Sequence, residues 1–149
     1  KVLSESIELI VNNRVKAIKQ PAQGTYFVQR KEGDEFIDWN WNSRRIFNFV
    51  RAITTPGPCA QTWILINSKY YKVEIKKVSL IHDAIDYICE NGAIIGLENG
   101  KPIVKTENSS ILIEEYSIIS NKKNKMRIGD RLGINLNLLI SGKVSLEED

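Results

Sequence analysis

Apolar residues recur at helical spacing before the middle of the chain, where Ile46, Phe49, Val50 and Ile53 fall at i, i+3, i+4 and i+7. The spacing predicts a short amphipathic helix whose other face carries Arg44, Asn48 and Arg51. Asn42 or Ser43 can supply the N-cap oxygen for an otherwise unpaired amide, and Pro56-Gly57-Pro58 forbids helix beyond Thr54. Nearer the start, Leu3, Ile7, Ile10, Val11 and Ile18 predict a helix over Val2 to Ile18, with Arg14 and Lys16 toward its polar side. Gln20-Pro21-Ala22-Gln23-Gly24 breaks that pattern, because proline disfavours helix in the residue before it and glycine frees the backbone. Thr25 to Arg30 is β-prone and expected to be extended, with the acidic run Glu32 to Glu35 after it.

From Cys59 onward the period changes to two. Thr62 to Ile66 and Tyr71 to Val78 predict a hairpin through Asn67-Ser68-Lys69, with Tyr71, Val73 and Ile75 alternating against Lys72, Glu74 and Lys76. Ala93 to Leu97 and Ile103 to Thr106 predict a second hairpin, joined by Asn99-Gly100, a dipeptide suited to positive backbone angles. Ile111 to Ile119 is a fifth strand, and His82 to Glu90 a short helical excursion. The expected class is mainly β, a small OB-like barrel preceded by helices and α+β overall. The organisation read from the pattern is a helix over 1–19, a linker and extended segment over 20–37, the barrel domain over 38–133, and an added strand or tail over 134–149.

Composition narrows the partners only slightly. Lys and Arg number 21 against 18 Asp and Glu, a formal net charge of +3 that does not by itself argue for nucleic acid. No apolar run approaches the length of a membrane span, and no signal-peptide pattern opens the chain. Cys59 and Cys89 make neither a metal-ligand spacing nor a disulfide framework, which fits a reducing, cytoplasmic setting. The chain starts at Lys1 and its one methionine is Met126, so it is expected to begin inside a longer protein.

Several short segments occur in a telling order: Asp38-Trp39, Val50-Arg51-Ala52, Pro56 to Ala60, Gly92-Ala93-Ile94-Ile95 with Asn99-Gly100, Val104-Lys105-Thr106 and Gly129-Asp130-Arg131-Leu132. Over roughly residues 20 to 133 the chain resembles the C-terminal domain of the methionyl-tRNA formyltransferase family, which also includes enzymes that formylate nucleotide-linked amino sugars. The resemblance implies that catalysis, through an Asn, a His and an Asp, and the donor 10-formyltetrahydrofolate belong to an N-terminal Rossmann-like domain, to which the helix over 1–19 would be the last contribution. This chain alone would then be inactive, with no catalytic, cofactor-binding or metal residues of its own. Its implied partners are that catalytic domain and an acceptor, either the charged initiator tRNA or a nucleotide-linked amino sugar, with a homodimer as a further option. Many tRNA-directed members carry an aromatic between the two prolines of the turn, where this chain has Gly57, a departure that leaves the amino-sugar branch open.

The acceptor-binding candidates are Arg44, Arg45, Asn48 and Arg51 on the helix and Lys122, Lys123 and Lys125 in a later basic stretch that also holds Arg127 and Arg131. Guanidinium forks match phosphate oxygens, and a lysine cluster can track an RNA backbone. The plainer alternatives are that Arg51 pairs with Asp38 or Glu35 to buttress the helix and that the lysines sit on a solvated loop. Trp39 and Trp63 are expected in the core and Trp41 as an exposed ring, although all three could stack bases. Cys59 reads as a small packed hydrophobe. His82-Asp83 looks like a catalytic pair, but neighbours on a strand face opposite ways. Competing readings are a stand-alone OB-type RNA-binding module and a structural or dimerisation domain.

Overall fold

Five strands in the order β1-β2-β5-β4-β3 form one antiparallel, curled sheet, and a helix packs on its second strand. They are β1 (Ala60–Ile66), β2 (Lys69–Leu80), β3 (Ile94–Glu98), β4 (Lys101–Lys105) and β5 (Ser110–Ile118). The computed structural model describes residues 2–119 and 124–147, in two units, Lys1–Arg30 and Lys31–Asp149.

In the first unit, α1 (Val2–Val11) stops well short of Ile18. Asn13 takes a positive φ of 56, so that Arg14 N–H bonds Leu9 O and Asn13 N–H bonds Ile10 O, the paired bonds that terminate a helix through a left-handed residue. No strand forms over Thr25 to Arg30: β-prone residues need a partner ladder, and this unit holds none. Among the described residues no helix is long and apolar enough to cross a membrane.

The second unit begins inside the span read as linker. Ile37 N–H donates to Gln61 O and Gln61 N–H to Glu35 O, so residues 35–37 run beside the start of β1. Helix α2 (Ser43–Ile53) starts where Asn42 Oδ1 accepts from Arg45 N–H at 2.8 Å. Ile46, Val50 and Ile53 are buried together with Ile64, Val73, Ile75, Ile94, Val104, Ile111 and Ile113 in one core. Both hairpins close through two-residue turns with positive φ at each central residue, 50 and 63 at Asn67-Ser68 and 51 and 78 at Asn99-Gly100. The first turn is one residue shorter than the sequence suggests, because Lys69 already pairs with Ile66.

Gly129 to Leu132 closes the sheet. Leu132 bridges Ile64 on β1 and Arg131 bridges Ala93 beside β3, so this segment stands between the two outer strands. A turn at Ile128-Gly129, in which Asp130 N–H donates to Arg127 O, thus leads into a stave of the barrel. Beyond them Asn135 caps α3 (Leu136–Ile140), and β6 (Ser145–Leu146) pairs in parallel with Lys69-Tyr70. The excursion over His82 to Glu90 is not a helix but an irregular, largely exposed connection.

Trp39 lies in the core as expected, while Trp41 and Trp63 differ from expectation. Trp39 is buried, and its Nε1–H donates to Thr62 Oγ1 at 3.0 Å. Trp63 is only half-buried, because Thr62 and Ile64 are the inward residues of β1, and it stacks instead on Phe36 at 5.8 Å. Trp41 is half-buried too, edge-on to Phe49 with the Arg45 guanidinium 4.1 Å above its ring. Thr62→Val keeps the shape of the site but strands the indole N–H, and is expected to cost about 1–3 kcal/mol in urea unfolding. On the outer sheet Glu114 contacts Lys101 and Ser79, whose hydrogen bonds hold its carboxyl below the ordinary value. The small stability this gives is present above the ordinary carboxylate pKa and is lost as pH falls through the lowered one.

Candidate functional site

Helix α2 turns its apolar stripe to the barrel, which leaves Arg44, Arg45, Asn48 and Arg51 exposed. Arg44 and Arg51 both reach the ring of Phe47, at 5.9 and 5.6 Å from its centroid. Residues three and four apart share a helix face, so this one aromatic orders two guanidinium groups. The pairing of Arg51 with Asp38 or Glu35 does not form. Asp38 Oδ1 is engaged by the backbone and side-chain amides of Asn40, and among the described residues Arg51 makes no ion pair.

The helix ends against an irregularity in β2. Ile75 pairs with Tyr116 and Lys77 with Glu115, so Lys76 is the extra residue of a β-bulge. Its carbonyl, outside the ladder, accepts from Thr54 Oγ1 at 2.8 Å, which pins the end of α2 to the strand. The bulge lets Ile75 and Val78 both point inward while Lys76 and Lys77 are both exposed. Between the helix and the bulge lies a cleft of about 430 Å³ with Phe47, Val50 and Val78 in its walls and Arg51, Lys76, Lys77 and Glu115 at its edges. Lys76 and Lys77 were not singled out from sequence. The signal was there, since two consecutive lysines before Val78 break the alternation of Val73, Glu74 and Ile75.

Lys125 is placed elsewhere, in a polar cleft with Asn67, Arg127 and Asp130 beside the β1–β2 turn. Lys122 and Lys123 lie outside the described residues. His82 is exposed in a turn, and Asp83 follows it with a positive φ of 54. Cys59 is buried. Among the described residues no group of His, Cys, Asp or Glu could hold a metal ion.

A second cleft, of about 500 Å³, is lined by Asp38, Trp39, Asn91 and Gly129 to Gly133. Segments far apart in sequence meet here. Gly92 packs its Cα face on Trp39 and on the Leu132 carbonyl, Leu132 N–H donates to Gly92 O, and Asn91 Nδ2 donates to Asn40 Oδ1. A family model for the formyl transferase C-terminal domain matches residues 29–132. The chain belongs to that family.

The formyl transferase C-terminal domain is similar over most of its length to known enzymes. It is 34% identical over 107 residues to the methionyl-tRNA formyltransferase of Mycoplasma capricolum, an alignment covering 71% of this chain and 32% of the relative. It is 36% identical over 115 residues to that of Fusobacterium nucleatum, covering 75% and 35%. It is also 31% identical over 64 residues to the bifunctional polymyxin resistance protein ArnA of Wigglesworthia glossinidia, covering 42% and 10%. The chain thus spans about a third of the length of the methionyl-tRNA formyltransferases it matches. Asp38-Trp39, Gly92 and Gly129 to Leu132 all fall inside the matched region; their contacts with one another give these short motifs a physical reason, the closing of the barrel.

Proposed function

We propose that this formyl transferase C-terminal domain is the acceptor-positioning part of a 10-formyltetrahydrofolate-dependent formyltransferase, with tRNA carrying the amine to be formylated. The formyl donor and the groups that move protons are assigned to a Rossmann-like catalytic domain outside this chain, working in the cytoplasm. What this chain supplies is orientation, which converts an encounter into a held geometry. The observation that carries the proposal is the run of exposed cations from Arg44 through Arg51 to Lys76 and Lys77, held on a rigid helix and a strand bulge. Such groups meet successive phosphates of a large anionic acceptor. A nucleotide-linked amino sugar is the second reading, favoured by Gly57 between the prolines.

Binding of the chain to initiator tRNA across a salt series is the test, with an unrelated tRNA and duplex DNA as controls. Micromolar affinity with a log–log salt slope of about −2 to −3 is expected for three or four phosphate contacts. No binding at low salt would leave the tRNA acceptor without support and pass the role to the amino sugar.

A further inference from the structure

The cleft between α2 and the β2 bulge is more than a patch of positive charge. Its apolar surface is the half-buried ring of Phe47, set over the buried Val50 and Val78. The cations stand at its edges and, among the described residues, Arg51, Lys76 and Lys77 make no ion pair. Arg51 is steadied by the Phe47 ring and not by a carboxylate, so its N–H groups remain available to an anion. One acid, Glu115, lies across from Lys77 in the strand register and also lines the cleft.

A duplex presents phosphates but hides its base faces, and would leave the open part of the Phe47 ring in water. A single unpaired nucleotide uses every part of the site. Its base stacks against the open part of the Phe47 ring beside the Arg44 guanidinium, as bases do on aromatic side chains, and its flanking phosphates lie on Arg51 and the two lysines. Glu115, an acceptor only, faces the base edge and favours bases with an exocyclic amino group over uracil. Resting on the acceptor proposal above, we infer that this cleft captures one unpaired nucleotide of an RNA strand.

The test uses the chain with RNA hexamers, A6, C6 and U6, one set carrying a central 4-thiouridine for photocrosslinking, together with duplex RNA of equal length and free AMP. Expected are crosslinks to residues 47–55 or 76–78, tighter binding of A6 and C6 than U6, and weaker binding of duplex and of AMP. Glu115→Gln should level the base preference without weakening U6. Phe47→Leu, checked for folding by circular dichroism, should lower hexamer affinity about tenfold or more, the size of one base–aromatic stack. Lys76→Glu, which changes an exposed side chain only, should weaken all hexamers alike. Crosslinks confined to the Lys125 region, or duplex or AMP binding equal to A6, would overturn the inference. If initiator tRNA binds while the hexamers do not, the nucleotide cleft fails and the acceptor proposal stands. If the hexamers crosslink at the cleft and tRNA does not bind, the cleft stands and the tRNA acceptor fails.

Discussion

Gly92→Ala is expected to destabilise the barrel by about 3 kcal/mol or more, whereas Gly100→Ala costs about 1 kcal/mol. Both glycines have positive φ, 84 and 78, so both substitutions carry the same left-handed backbone penalty. They differ in what a Cβ would meet. At Gly100 there is nothing within 4 Å, but at Gly92 the added carbon would lie 2.5 Å from the Leu132 carbonyl oxygen and 3.2 Å from Trp39 Cγ. Neither neighbour can withdraw cheaply. Leu132 N–H is bonded to Gly92 O, Leu132 bridges Ile64, and Trp39 is buried and bonded to Thr62. The substitution therefore opposes the contact that closes the sheet, and its cost adds to the backbone term. Urea unfolding of the two variants beside the parent measures the difference. Equal costs would mean that the closing segment yields, and that Gly129 to Leu132 is not a rigid stave.

The local pattern carried most of this architecture. Alternation in β1 and β2, Asn99-Gly100 as a tight turn and the stripe of Ile46, Val50 and Ile53 were all legible, because each depends on neighbours in sequence. What escaped depends on partners far along the chain. The closing role of Gly129 to Leu132 needs Ile64 and Ala93, and the half-burial of Trp63 needs Phe36 to cover the outer face. The end of α1 at Val11 turned on Asn13 adopting a left-handed angle, which its apolar spacing could not show. Of the site, the α2 arginines were legible as one face of a helix. Their fellow cations Lys76 and Lys77 were not, since only the bulge puts both at the end of that helix.

Reversing the charge of that bulge should have the largest effect on binding. The double variant Lys76→Glu, Lys77→Glu is expected to lower affinity for initiator tRNA on the order of 10- to 100-fold near 0.1 M salt and to flatten the salt slope by about 2. The flattening follows from counterion release, since each cation that no longer neutralises a phosphate removes one ion from the count. The loss goes beyond two absent contacts, because a carboxylate opposite a phosphate repels it within the screening length. Folding stability should be lowered only modestly, by about 1 kcal/mol, since both side chains are exposed but Lys77→Glu faces Glu115 across the strands. The backbone carbonyl of Lys76 that Thr54 holds is untouched by the change. Lys125→Glu, in the separate polar cleft by the β1–β2 turn, is the comparison. If it weakens tRNA binding as much as the double variant does, the phosphates run past the turn and not past α2. If the double variant binds with an unchanged salt slope, the bulge lysines do not touch the acceptor, and the helix arginines alone must account for whatever binding is seen.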